Sequence, residues 1–109
     1  MSARLYPNEC VKRIVAFIPP GHNHVRFIIE LGDEKIILHE AAVAGIVRAY
    51  AMVALHPTRR AVELRAKLLS AGEKKHGFAR WQLVESGRDE AVIVEEATRV
   101  WEEATLAKC

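Results

Sequence analysis

Hydrophobic and polar residues change their spacing several times along this chain, and each change predicts an element. From Val11 to Ile18 the apolar run is strongest at IVAFI, and Pro19, Pro20 and Gly21 stop it, so a strand is expected there. Val25, Phe27, Ile29 and Leu31 then alternate with Arg26 and Glu30, the two-residue period of a half-buried strand, interrupted by Ile28. Gly32 and Asp33 supply a tight reversal, and Lys35 to Leu38 returns as the hairpin partner. The stretch Glu40 to Leu55, EAAVAGIVRAYAMVAL, runs sixteen residues with charge only at Glu40 and Arg48. It is too long for a buried strand and rich in helix formers, and its apolar side chains run almost all the way round, which predicts a buried central helix. Ala41, Gly45 and Ala49 repeat at four-residue spacing along it, a smooth flank that another helix or a partner chain can approach closely.

Beyond this helix, His56 and Pro57 break the chain, and Thr58 is placed to cap a second helix from Arg59 to Ala71 with Gly72 as its stop. Ala61, Leu64 and Leu68 would form its apolar stripe, opposite the i, i+4 ladder of Arg59, Glu63 and Lys67. Gly72 to Gly77 reads as a polar loop. The segment from Phe78 to Glu85 fits two periods: Ala79, Trp81 and Leu83 alternate as in a strand, while Phe78, Trp81 and Val84 share a helical stripe. Ala91 to Val94 is short and β-branched, which predicts a strand, and from Glu95 the spacing of Ala97, Val100, Trp101 and Ala104 predicts a C-terminal helix. Residues 1–9 lack periodicity and are expected to be loosely ordered. The fold class expected is thus α/β (α+β): one domain over residues 1–109, a small antiparallel sheet of the N-terminal hairpin plus one or two further strands, and three to four helices around the buried Ala-rich one.

Composition adds little to the fold but narrows the function. At 109 residues, half hydrophobic and only 6% aromatic, the chain has material for one core of Ala, Val, Ile and Leu. A membrane span is disfavoured because the apolar run, extended back to Ile36, takes in His39, Glu40 and Arg48. The net charge of +2 does not point to nucleic acid, but its distribution is uneven. Thr58 to Arg80 carries seven basic and two acidic residues, whereas Glu85 to Cys109 carries three basic and seven acidic. Cys10 and Cys109 have no paired spacing and Met1 to Pro7 has no apolar leader, which together suggest a reduced, cytoplasmic protein. Asn and Gln number only three, Asn8, Asn23 and Gln82, a scarcity of thermolabile amides compatible with a thermophilic source.

Candidate chemistry is sparse. There is no catalytic triad and no phosphate loop, and no cofactor is implied. His22 and His24 flank Asn23 in a turn and could give two nitrogens to a metal, with Cys10 or His39 as a third ligand; loop residues without a metal explain them equally. A small metal-dependent hydrolase on His22, His24 and His39 is therefore one alternative, although no carboxylate is placed to act as base. Arg48 needs a partner or a route to solvent, since an unpaired buried guanidinium is costly; Glu63 is one candidate partner, and an anion in a cleft another. Arg59, Arg60, Lys67, Lys74, Lys75 and Arg80, interleaved with His76, Phe78 and Trp81, combine cations and rings as RNA contact requires, although a solvated basic face has the same composition. Ala41, Gly45, Ala49 and Trp81 are the candidate partner contacts.

In order, the segments IILHEAAVAGIVRAYAMVAL, RRAVELRAKLLSAGEKK, FARWQLVESG and DEAVIV, within residues 27–94, resemble the small regulatory subunit of the KEOPS (EKC) tRNA-modification complex, the family of the PRPK-binding protein. The resemblance implies a non-enzymatic subunit that binds a kinase-like ATPase and helps hold tRNA during threonylcarbamoylation of adenosine. It also implies a helix over Phe78 to Glu85. A small homodimeric protein of another kind is the alternative.

Overall fold

The computed structural model describes residues 3–109. Among them are seven strands in three separate sheets and two α-helices. In chain order these are β1 (Arg4–Leu5), a 3₁₀ turn (Asn8–Cys10), β2 (Val11–Phe17), β3 (Arg26–Leu31), β4 (Glu34–His39), α1 (Glu40–Ala54), β5 (Leu64–Leu68), β6 (Trp81–Glu85), α2 (Glu90–Glu103) and β7 (Thr105–Leu106). The chain divides into two units, Met1–Glu40 with Glu95–Cys109, and Ala41–Val94.

In the first unit β2, β3 and β4 form an antiparallel sheet in that order, and its β3–β4 hairpin is the one that the alternation and turn in the sequence predict. The β3–β4 connection is two residues long, with Gly32 at φ +55° and Asp33 in the ordinary negative range, the pattern of a II′ hairpin turn. Register then sorts the side chains. Ile14, Ile29 and Ile36 lie side by side in one row, and Ala16, Phe27 and Leu38 in the next row of the same face. The other face alternates with it: Val15, Ile28 and Ile37 make one apolar row, bordered by Arg13, Glu30 and Lys35 and by Phe17, Arg26 and His39. Arg13 and Lys35 both pair with Glu30, at 3.1 and 3.7 Å, and with Arg13 foremost they hold its carboxyl below the usual range.

Segments near the two ends of the described chain are joined. β1 and β7 pair in parallel, with Thr105 donating to Ala3 and Ala107 to Leu5, and Cys10 is joined to Cys109 by a disulfide that spans 99 residues. The disulfide corrects the expectation of reduced cysteines; the expectation of loose order over residues 1–9 lies partly outside the described residues, and residues 3–9 include a strand and part of a 3₁₀ turn. Neither the pairing of β1 with β7 nor that of the cysteines leaves a local trace, because each joins opposite ends of the chain. Cys10 is fully buried, and Gly32 donates to its carbonyl. A β-carbon at Gly32 would sit 3.3 Å from the Cys109 sulfur, so both its φ and its neighbour favour glycine.

In the second unit β5 and β6 form an antiparallel hairpin, and α1 passes beside β6. The expected helix from Arg59 to Ala71 does not form: Leu64, Ala66 and Leu68 alternate with Arg65 and Lys67 and pair with β6. Both periods can be drawn through these residues, and the ladder with β6 selects the two-residue one. Phe78 to Glu85 likewise resolves as strand over Trp81–Glu85, not as helix. Ala91 to Val94 is the first turn of α2 rather than a strand, because Asp89 caps it: its carboxylate accepts from Ala91, and its carbonyl from Val92 and Ile93. Two helices therefore replace the three or four expected. The central helix is correctly placed, ending one residue early at Ala54, but it is not a core helix: Gly45 is buried, whereas Ile46, Val47 and Tyr50 are exposed, Tyr50 by 71%.

Candidate functional site

The α1–β6 junction gathers several residues marked in the sequence. Gly45 faces Leu83 so closely that a β-carbon there would lie 2.6 Å from Leu83 Cδ1. The small-residue flank is thus occupied at its middle by the protein's own hairpin, with Ala41 and Ala49 half-buried to either side in sequence. Arg48 answers its question in the same place, since its Nη2 donates to the Leu83 carbonyl at 2.6 Å rather than to Glu63. The direction of that carbonyl follows from the ladder. Ser86 donates to Glu63 and Leu69 to Arg80, so the bonded pairs alternate with the Ala66–Leu83 pair, whose backbone groups point away from β5. Arg48 therefore caps the free edge of β6, satisfying a carbonyl that no strand pairs.

Three of the six basic side chains proposed for RNA are engaged within the hairpin unit. Arg59 pairs with Glu85, Lys67 with Glu73 at 3.0 Å, and Arg80 Nε donates to the Leu69 carbonyl at 3.3 Å. The Arg60 backbone N–H donates to Glu90. Glu63 takes Arg65 at 3.1 Å and Arg88 at 3.0 Å, and a hydrogen bond from Ser86 is the largest influence lowering its carboxyl. Lys74 and Lys75 are exposed on the 69–80 connection, as is Phe78 at 60%, and Trp81 at the start of β6 is 61% exposed.

That connection begins with a feature the sequence reading passed over. Ser70 and Glu73 cap each other: Glu73 donates its N–H to Ser70 Oγ at 3.3 Å, and its carboxylate accepts from the Ser70 N–H at 3.0 Å. This is the reciprocal arrangement of a Ser-x-x-Glu box, and the spacing alone would have found it. The Ser70 N–H foremost, then the Lys67 ammonium and the Ser70 hydroxyl, hold the Glu73 carboxyl down at about 2.

The proposed metal ligands do not converge. Among the described residues no three His, Cys, Asp or Glu side chains are grouped to hold an ion. His24 Nδ1 lies 3.9 Å from Glu40 Oε1, while Glu40 Oε2 accepts from the Val25 N–H at 2.8 Å; His39 stands opposite Arg26 in the sheet, and Cys10 is in its disulfide.

Two concavities in the first unit had no signal in the sequence. A cleft of about 380 Å³ beside the disulfide is lined by Arg4, Tyr6, Asp33, Glu34 and Lys108 among others. Tyr6 donates to Glu34 across it at 2.8 Å, and Arg4 donates to the Tyr6 hydroxyl at 3.4 Å, which raises the pKa of its guanidinium. A shallow groove of about 450 Å³ runs between β1 and α2, walled by Leu5, Val100, Trp101 and Ala104. Both depend on pairing between chain ends, which no local pattern encodes. Among the described residues no helix is long and apolar enough to cross a membrane.

Comparison with protein-family models, with curated proteins and with solved structures gave no match.

Proposed function

We propose that this chain is a non-enzymatic binding module whose partner is a protein. The observation that carries the reading is the exposure of large apolar side chains on regular elements, in rows rather than singly: Ile14 and Ile36 on one sheet face, and Ile46, Val47 and Tyr50 along α1. Contiguous apolar faces of this kind mark association surfaces. Titration with a solvent-sensitive apolar dye tests it: the free chain should bind the dye, or show those faces protected in a complex. Faces protected from hydrogen exchange within a monomer that binds no dye would remove the reading.

A second reading has its own support. Lys74, Lys75 and Phe78 are exposed on the 69–80 connection and Trp81 is exposed at the start of β6, so cations and rings follow closely in the chain, as backbone contact and base stacking on single-stranded RNA require. Changing Lys74 and Lys75 to Glu should weaken tRNA binding at low salt, and unchanged affinity would end this reading. Membership of a KEOPS-like tRNA-modification complex, with a kinase-like ATPase and tRNA as partners, is the narrower proposal. It rests on the resemblance over residues 27–94, from which β5 and β6 remove the expected helices. Purification that recovers none of that complex's components would reject it. A cytoplasmic location is proposed together with a thermophilic source, in which intracellular disulfides are common.

A further inference from the structure

We infer that the Cys10–Cys109 disulfide is a redox-operated latch: a dithiol opens it in the folded chain, and the segment after α2 then leaves β1 and takes one wall of the adjacent cleft with it. The residues concerned all belong to the first unit. Their anchorage is unequal. Cys10 is fully buried at the start of β2, which pairs with β3 from Val11 to Phe17, and its carbonyl accepts from Gly32. Cys109 is exposed and follows β7, which among the described residues pairs only with β1, over two positions. Thr105 and Ala107 donate to Ala3 and Leu5, while Leu106 is 58% exposed and buries little apolar surface. So short a two-stranded ladder is not stable by itself in water, which leaves the covalent bond to hold the segment. β1 has a second hold, because Tyr6, just beyond it, donates to Glu34 of β4.

The same inequality directs the chemistry. An incoming thiolate reaches the sulfur of exposed Cys109 and not that of buried Cys10. Its attack on Cys109 Sγ forms a mixed disulfide and breaks the Cys10–Cys109 bond, and the electron pair leaves on the Cys10 sulfur, which takes a proton from water. The second thiolate of the dithiol then attacks its own sulfur in the mixed disulfide and displaces the Cys109 sulfur, which is protonated in turn. Overall the dithiol gives up two electrons and two protons and becomes a disulfide, and Cys10 and Cys109 become thiols. Residues 105–109 form one wall of the cleft of about 380 Å³, with Arg4, Tyr6 and residues 31–34 as the remainder. The cleft is therefore complete in the oxidised chain and lacks that wall in the reduced one.

Hydrogen exchange of the intact chain, before and after dithiothreitol without denaturant, is the test. The bond should open, and the Thr105 and Ala107 amides should lose protection by at least about ten-fold, while amides inside the β3–β4 hairpin keep theirs. Reoxidation should restore the protection at Thr105 and Ala107. Cys109→Ser should show the reduced pattern with no reductant present, and because the unaltered chain is reduced reversibly, the test does not depend on that variant folding. A disulfide that dithiothreitol reduces only after denaturant has unfolded the chain is a structural staple and overturns the inference. So does a reduced chain that keeps Thr105 and Ala107 protected, or one that loses protection throughout.

Discussion

The two hairpins are held in different ways. The β3–β4 hairpin turns in two residues, and its strands carry Phe27, Ile29, Leu31, Ile36 and Leu38 on one face, so apolar alternation and a tight turn set its register. A disulfide then ties the start of β2 to the C-terminus. The β5–β6 hairpin has a long connection, residues 69–80, and polar contacts surround it: the Ser70–Glu73 box, Lys67 on Glu73, Arg59 on Glu85, and Arg48 on the outer carbonyl of Leu83. Apolar pairing and covalent closure secure one region; charge and capping secure the other. The first should depend more on redox state, and the second, with more of its contacts between charges, more on salt and acid, although Glu30 gives the first a smaller acid-sensitive part.

Four experiments bear on that contrast, in order of expected size. Cys109→Ser should cost about 4 kcal/mol in urea denaturation, because the loop it opens spans nearly the whole chain. The lost protection in hydrogen exchange should centre on β1, β7 and β2, and loss centred instead on β5–β6 would undo the contrast. Gly45→Val should cost about 2 kcal/mol by overpacking against Leu83. Adding Leu83→Ala should recover part of that loss in a double-mutant cycle, and full additivity would show that the helix and hairpin do not meet there. Arg48→Met should cost about 1 kcal/mol through the unpaired edge carbonyl, read from the thermal midpoint and from faster exchange along β6. The smallest effect is that of pH on the β5–β6 connection. Glu73 has its carboxyl lowered from 4.5 to about 2 in the folded chain, so its contribution is complete above pH 4.5 and disappears as pH falls through about 2. Carboxyl chemical shifts should follow that low midpoint, and Ser70→Ala should move it back toward 4.5.

The long alternations and the long helix were legible because their physics is local. Each residue of β3 reports its side of the sheet through the two-residue period, and Gly32–Asp33 announces the turn. Glu40–Ala54 is long enough that no strand competes with it. Short segments were not legible. Leu64, Ala66 and Leu68 satisfy a strand, Ala61, Leu64 and Leu68 a helix, and only pairing with β6 decides between them. Ala91–Val94 has β-branched residues, yet the Asp89 cap and the continuing spacing to Trp101 make it helix. Of the candidate site, composition showed the cations and rings of residues 59–81, whereas the pairing of Arg59 with Glu85 and of Lys67 with Glu73 required the folded hairpin.

By itself, then, the sequence determined the N-terminal hairpin, the position of α1, the uneven charge and the Ser-x-x-Glu box, all of which arise between residues a few positions apart. Tertiary structure alone decided the disulfide between Cys10 and Cys109, the β1–β7 pairing, the strand state of residues 64–68, Arg48 on the edge of β6, and the exposure of α1. The reason is the same throughout: these features depend on which distant residues come together, and the local period is silent on that wherever a segment is shorter than about two helical turns.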